Sequence, residues 1–270
     1  MEQAEMIRKM RVFADSKANQ KTNERATKAT INHEKAALLA WWATFVAAYP
    51  EYNRAIDMQY PDPELLSEIQ AAAIEGNVRQ RQVATNDELI AFAVAVYATR
   101  LGSKLVEQYR GYFTKVATQT VKKAQQLYPN ASKGSATDLV DGIINNVNWS
   151  DRIWNNMDAL QSDVRAIMKD ALLTHKNPAD VTREIAKRYN VADYQSRRLL
   201  RTESARMMAE ETTRAAKESG YGRLKWVANT AACRICAPMD GRVFTYYEAD
   251  GMIPRHPNCL CSWVGTDDEK

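Results

Sequence analysis

The sequence predicts a mainly α-helical fold, with a long helical N-terminal region and a small α+β segment at the C-terminus. Three observations lead there. Up to Gly220 the chain is rich in Ala, Lys and Glu, poor in helix breakers, and repeats its apolar residues at helical spacing. Beyond Gly220 it turns to short β-rich runs separated by turn residues. All four cysteines fall between Cys233 and Cys261.

The elements follow in order. Glu2 to about Tyr49 reads as helix, stopped by Pro50. Its stretch SKANQKTNERATKAT is polar on most faces and reads as an exposed or partly disordered arm. Leu38, Leu39, Trp41, Trp42, Phe45 and Val46 then supply a face to bury. The longest apolar run, Ala36–Tyr49, is too short to span a bilayer and reads as a buried helix. Pro61 and Pro63 open PELLSEIQAAAIEG, which Gly76 ends as a C-cap. A long bundle or hairpin helix runs from an Asn86 cap to Pro129, with Gly102 and Gly111 as places for a kink. Asn130–Asp138 has linker composition.

Three helical segments come next. One is capped by Ser150. The second is capped by Asn177, with Pro178 in its first turn, and the third runs through ADYQSRRLL to Gly220. In the C-terminal segment Leu224–Trp226–Val227 reads as a strand. DGRVFTYY has an Asp-Gly turn pair before a β-rich run, and WVGTDDEK trails into acid. This gives three consecutive parts. They are a helical region 1–129, a linker with a short helix 130–148, and a domain 149–270 that carries the β segment.

Composition narrows the function classes. Charged residues make up 26% and hydrophobic residues 45%, an ordinary soluble balance. With 37 Lys+Arg against 33 Asp+Glu the net charge is only +4, so an acidic partner must be argued from local clustering. The first twenty residues lack the layout of a signal peptide, which points to synthesis in the cytoplasm. In a reducing compartment clustered cysteines suggest metal more than disulfides.

Zinc takes thiolate and imidazole ligands in a tetrahedron, and a Cys-x-x-Cys loop delivers two of them. CRIC supplies Cys233 and Cys236, and HPNCLC supplies His256, Cys259 and Cys261. Five donors compete for four positions. Cys233, Cys236 and Cys259 are expected in the set, with His256 or Cys261 as the fourth. Such a zinc would be structural, because a short β segment buries too little apolar surface alone. Disulfides and plain core thiols are the competing readings. An enzymatic zinc would need an open position with Asp240, Glu248 or Asp250 as base, and no unassigned His lies nearby. A Gly-rich phosphate loop is absent from the sequence.

A basic stretch precedes the knuckle. Arg197, Arg198, Arg201, Arg206, Arg214 and Lys217 share one expected helix, with Arg223 and Lys225 beyond it. The bland reading is a solvated face with pairs such as Glu210–Arg214. The sharper one is a phosphate-contacting surface for double-stranded DNA. A third is a buried Arg201 and Glu203 tying the helix to the metal-bearing segment. His33 and His175 read as surface residues.

From Trp149 to Trp263 the chain resembles the tailed-phage minor head, or head morphogenesis, family with a Mu F-like C-terminal domain. The matching stretches are WSDRIW, NPADVTREIAKRYNV, LLRTESARMMAE, GYGRLKWVANTAACRICAPMDGRVF and PRHPNCLC. The family order is a helix bearing Arg201-Thr202-Glu203, a glycine, a Trp-containing strand, Cys-x-x-Cys, Asp-Gly, and His-Pro-x-Cys-x-Cys. The chain departs from the usual pattern in NTAAC, where Asn229 and Ala231–Ala232 replace an Asp followed by Arg-Thr, and at Leu260, usually basic. The resemblance implies a non-enzymatic, low-copy component of the virion interior, made in the host cytoplasm. Its expected partners are the portal protein, the scaffold or major capsid protein, and double-stranded DNA, with no membrane. Its expected roles are procapsid assembly and DNA packaging or delivery.

Overall fold

A computed structural model describes residues 2–18, 21–50, 61–142 and 147–268. Its helices are α1 (Gln3–Ala18), α2 (Lys21–Ala48), α3 (Pro63–Glu75), α4 (Asn86–Leu127), α5 (Ala136–Asp141), α6 (Trp149–Thr174), α7 (Pro178–Glu218) and the short α8 (Tyr246–Ala249). Strands β1 (Arg223–Val227), β2 (Val243–Phe244) and β3 (Ser262–Thr266) form one antiparallel sheet in the order β2-β1-β3. The mainly helical class with a small C-terminal sheet is therefore present.

Several boundaries differ from the sequence reading, each for a local reason. Asn86 is the first residue of α4, and Thr85 acts as its cap by accepting the Glu88 N–H while the Glu88 carboxylate takes the Ala84 N–H. α6 begins at Trp149, so Ser150 lies inside it. The two segments expected after Asn177 are one helix, α7, because no breaker separates Asn190 from Ala192. Asn177 does cap it, its side chain accepting the Ala179 N–H at 2.9 Å. WVGT is strand: β3 pairs with β1 along its whole length, Arg223 opposite Thr266 through Val227 opposite Ser262.

The chain divides into two compact units that are not consecutive in sequence. One comprises residues 1–24, 108–149 and 197–270, the other residues 25–107 and 150–196. The three consecutive parts expected from composition cut across them, because α4 and α7 each contribute to both units. Residues 143–146 of the expected linker lie outside the described residues.

In the wholly helical unit Leu38, Trp41, Trp42 and Phe45 of α2 are buried, as the apolar run predicts. α6 buries Ile153, Met157, Leu160, Val164, Met168 and Ala171, a 3-4 repeat on one face. Gly102 of α4 permits close packing: a Cβ there would stand 2.5 Å from the Trp154 ring. α4 is also the one helix among the described residues long and apolar enough to cross a membrane, and most of its apolar stretch is buried.

In the other unit the sheet is the centre of a core shared by α1, α4 and α7. Trp226 and Trp263 face each other across β1 and β3 with ring centroids 5.1 Å apart, and Phe244 lies 5.6 Å from Trp263. Met6, Met10 and Ala14 of α1 enter this core at i, i+4, i+8. α1 is thus docked, and Gln3 donates to the Gly265 carbonyl at 2.9 Å; of the stretch expected as an arm, residues 19–20 lie outside the described residues and Lys21–Thr30 belong to α2. Gly265 is required where it sits, because a Cβ would meet the Tyr221 ring at 2.8 Å and Ala216 at 2.9 Å.

Candidate metal centre

Backbone geometry delivers the first two donors. After β1 the Asn229 side chain accepts the Ala231 N–H at 2.9 Å and turns the chain toward Cys233. The Cys233 carbonyl then accepts the N–H groups of Cys236 and Ala237, at 3.0 and 2.9 Å, closing the Cys-x-x-Cys turn. A short 3-10 segment, Ala237–Met239, leads to the Asp240-Gly241 turn and into β2.

The second loop is just as tightly made. The Cys259 N–H reaches back to the His256 carbonyl at 3.0 Å, with Asn258 between them in the left-handed region at φ 67°. Asn is among the few side chains that accept this conformation readily. The Asn258 N–H donates to the Thr202 hydroxyl at 3.0 Å, and that hydroxyl donates to the Arg198 carbonyl at 2.7 Å.

The two loops bring all five sequence-predicted donors together. They fall into two triplets, Cys233–Cys236–His256 and Cys236–Cys259–Cys261, each with its ligand atoms within 4.8 Å of one another. His256 Nε2 stands 3.1 Å from Cys233 Sγ and 3.2 Å from Cys236 Sγ, and Cys236 Sγ is 4.0 Å from Cys259 Sγ. All four cysteines are free thiols. A zinc tetrahedron, with Zn–S about 2.3 Å and Zn–N about 2.0–2.1 Å, sets ligand atoms about 3.5–3.8 Å apart, close to these spacings. All five donors line a cleft of about 590 Å³; Cys236, Cys259 and Cys261 are buried members of the sheet's hydrophobic core, whereas Cys233 and His256 are half-buried.

Electrostatics splits the thiols into two kinds. The Cys261 thiol, with the backbone N–H groups of Cys261 and Arg255, holds Cys259 down at about 5. Cys233 is lowered by the N–H groups of Cys236 and Ile235. Burial pushes Cys236 up to about 12, helped by the charge of Cys259. Cys261 is raised by its hydrogen bond to Cys259 and by burial. At His256 burial acts downward, but the Pro257 carbonyl and the neighbouring thiolates outweigh it and raise the imidazole. Pro257 accepts from Nδ1 at 2.8 Å, leaving Nε2 to face the sulfurs, the arrangement in which a metal-binding imidazole is oriented by its other nitrogen.

The other predicted site residues have other work. Asp240 takes the Ala228 N–H at 2.8 Å and a two-pronged contact from Arg11 of α1, at 2.8 and 2.6 Å. Glu248 completes a capping box with Thr245, and Asp250 ends α8. None of these three carboxylates lines the cleft around the cysteines. The Arg-Thr-Glu motif does tie its helix to the Cys/His segment, but through Thr202. Glu203 is buried against Arg206 of its own helix, and Arg201 donates to Glu24 at 3.0 Å while lining the cleft.

A comparison with family models, curated proteins and solved structures gives no match. The remaining assignments therefore rest on geometry.

The basic residues expected to meet DNA are placed in several settings. Arg206 is 1% exposed and saturated by Glu203, Glu210 and the Leu139 carbonyl, so it cannot contact a phosphate. Arg214 pairs with Glu211 and Glu218, both at 2.7 Å, and donates to Ser132. Lys225 pairs with Asp268, and Lys217 lies over the Tyr246 ring at 5.9 Å. Arg197, Arg198 and Arg223 are half-buried.

Sequence reasoning missed two supports of the loops. Asp15 of α1 accepts from the Asn229 side chain at 2.6 Å and from the Thr230 N–H at 3.1 Å. With Arg11, which also donates to the Ala228 carbonyl at 3.1 Å, it clasps the approach to Cys233. The only signal for this in the sequence is the Met6–Met10–Ala14 stripe, which marks α1 as a packed helix.

Proposed function

We propose that this chain is a non-enzymatic structural and assembly protein of a tailed-phage head, of the Mu F-like minor head kind, with its C-terminal segment pinned by one structural zinc ion. The observation that carries the proposal is the gathering of all five Cys/His donors in two overlapping triplets, with Cys236, Cys259 and Cys261 inside the core of the small sheet and Cys233 and His256 at its edge. The motifs of the resemblance also meet in space. Thr202 of the Arg-Thr-Glu helix holds the HPNC loop, and Asp240 of the Asp-Gly turn holds the end of the Trp-bearing strand.

Cys233, Cys236, Cys259 and His256 would hold the metal, with Cys261 left as a buried hydrogen-bond partner of the Cys259 sulfur. His256 is favoured over Cys261 as fourth ligand because its Nε2 faces two sulfurs at once and its Nδ1 is anchored. The same feature weighs against a Cys–His nucleophile, in which the base would face one thiol. Bound zinc supplies the tetrahedral crosslink that a sheet with a two-residue edge strand lacks, worth on the order of 10 kcal/mol of folding free energy. In the head the helical parts would dock on the portal and on scaffold or major capsid protein, inside the virion.

Metal analysis of the purified chain tests the centre. One zinc per chain is expected, lost in Cys236→Ser and His256→Ala and kept in Cys261→Ser; a metal-free, folded wild type defeats it. The head assignment is tested separately, by mass spectrometry of purified particles. Absence of the chain from filled heads and procapsids alike defeats that part. Alanine at Asp240, Glu248 and Asp250 is expected to leave DNA processing unaltered.

A further inference from the structure

No acidic residue occurs from Gln108 to Thr137, while Arg110, Lys115, Lys122, Lys123 and Lys133 fall in that span. Within α4 the positions Tyr109, Phe113, Val116, Ala117, Val121 and Ala124 turn inward. Gly111, Thr114, Lys115, Thr118, Gln119 and Lys122 are left exposed. Lys115 and Lys122 are seven residues apart and so share one face, about 10 Å apart along the helix. Thr114 and Thr118 fold their hydroxyls back onto the Arg110 and Thr114 carbonyls, both at 2.8 Å, which keeps the surface between the lysines low and flat.

α1 adds to this charge. Partial burial and the positive field of Lys9 and Arg8 together lower the Lys123 ammonium. The carboxylate within reach, Glu5, already serves Arg8 at 2.8 Å and Lys9 at 3.4 Å. Cations gathered in this way repel one another until an anion neutralises them.

We propose that this face of α4, flanked by Arg8 and Lys9 of α1, is a binding surface for the phosphate backbone of duplex nucleic acid, engaged without regard to base sequence. An acidic protein fits less well. The exposed positions from Gln108 to Leu127 offer no large apolar side chain to anchor an interface centre. A phosphate backbone asks only for cations on an open polar face. The surface is separate from the metal-bordering cleft, and it stands whether or not the chain enters a phage head.

The test is fluorescence anisotropy of the full chain on a random-sequence duplex across a salt series. The triple variant Lys115→Gln/Lys122→Gln/Lys123→Gln is compared with a control of equal charge loss, Lys28→Gln/Lys187→Gln/Arg188→Gln. The α4 variant is expected to bind about tenfold or more weakly, with a log–log salt slope shallower by about 2–3, since each phosphate contact contributes about 0.9. The control and a triple Lys→Arg variant on α4 are expected to bind like wild type. Equal losses in variant and control, no duplex binding by wild type, or capture of polyglutamate in preference to duplex would each overturn the proposal. Thermal melting matched to wild type confirms that the glutamine variants are folded.

Discussion

The Arg197–Lys217 stretch of α7 and the Gln108–Leu127 stretch of α4 belong to the same unit and are both basic, yet they spend their charge in opposite ways. α7 carries six cations there, with Glu203, Glu210 and Glu211 interleaved and Glu218 next in line. Arg206 and Arg214 are each gripped by two of these acids, and Arg201 by Glu24. α4 carries four cations there and no acid of its own; Arg110 reaches Asp141 at 3.7 Å, and Lys115 and Lys122 stand exposed. The difference teaches that cation density along a helix says little about a polyanion partner. What matters is whether acids stand one turn away, because then the positive charge is already used inside the fold.

The sharpest way to break this contrast is Arg206→Ala. Glu203 would be left buried beside Glu210 without its partner, and removing one member of a buried pair costs about 3–5 kcal/mol. Chemical denaturation should show that loss. A cost near zero would mean that α7 does not depend on its internal ion pairs. A smaller effect is expected one turn earlier. Thr202→Val leaves the Asn258 N–H without its acceptor, a loss of about 1–3 kcal/mol, and should also speed release of the proposed zinc to a chelator. Unchanged release in a destabilised variant would mean that Thr202 supports the helix only.

The opposite behaviour is expected on α4. Lys115→Ala and Lys122→Ala should change stability by less than about 0.5 kcal/mol, as for exposed surface positions. A loss comparable to that of Arg206→Ala would show that these lysines are structural, and the two helices would no longer differ.

Much of this was legible in the sequence, and the reasons for the rest are physical. The helical class, the buried Trp41–Phe45 face, the Asn177 cap and the convergence of Cys233, Cys236, His256, Cys259 and Cys261 follow from periodicity and spacing. Long-range pairing leaves no local trace. β3 is written in the same letters as a trailing tail, and only its alignment with β1, some forty residues earlier, makes it a strand. Asp15 and Arg11 look like ordinary solvated charges on α1, because their partners at Asn229, Thr230 and Asp240 lie over two hundred residues away. The arginines of α7 misled for a related reason: a sequence shows that an acid is three or four residues off, but not that the pair is buried.

The mildest test uses acid. Ser132, through its hydroxyl and its N–H, and Arg214 hold the Glu218 carboxyl down at about 2, below an ordinary value of 4.5. A depressed carboxylate contributes stability that is fully present above its unfolded value and is lost as pH falls toward its folded one. The Glu218 contribution should therefore fade between about pH 4.5 and pH 2, so wild type and Glu218→Gln differ at neutral pH and converge below that window. The pair is exposed, and its effect should shrink with added salt. On α4 the corresponding change, Gln119→Glu, adds a carboxylate between Lys115 and Lys122 at i,i+4 and i,i+3 spacing. It should leave stability level or slightly higher while weakening duplex binding, which would make that stretch behave like α7. If binding survives an acid placed between the two lysines, neutralisation within the helix is not what separates the two helices.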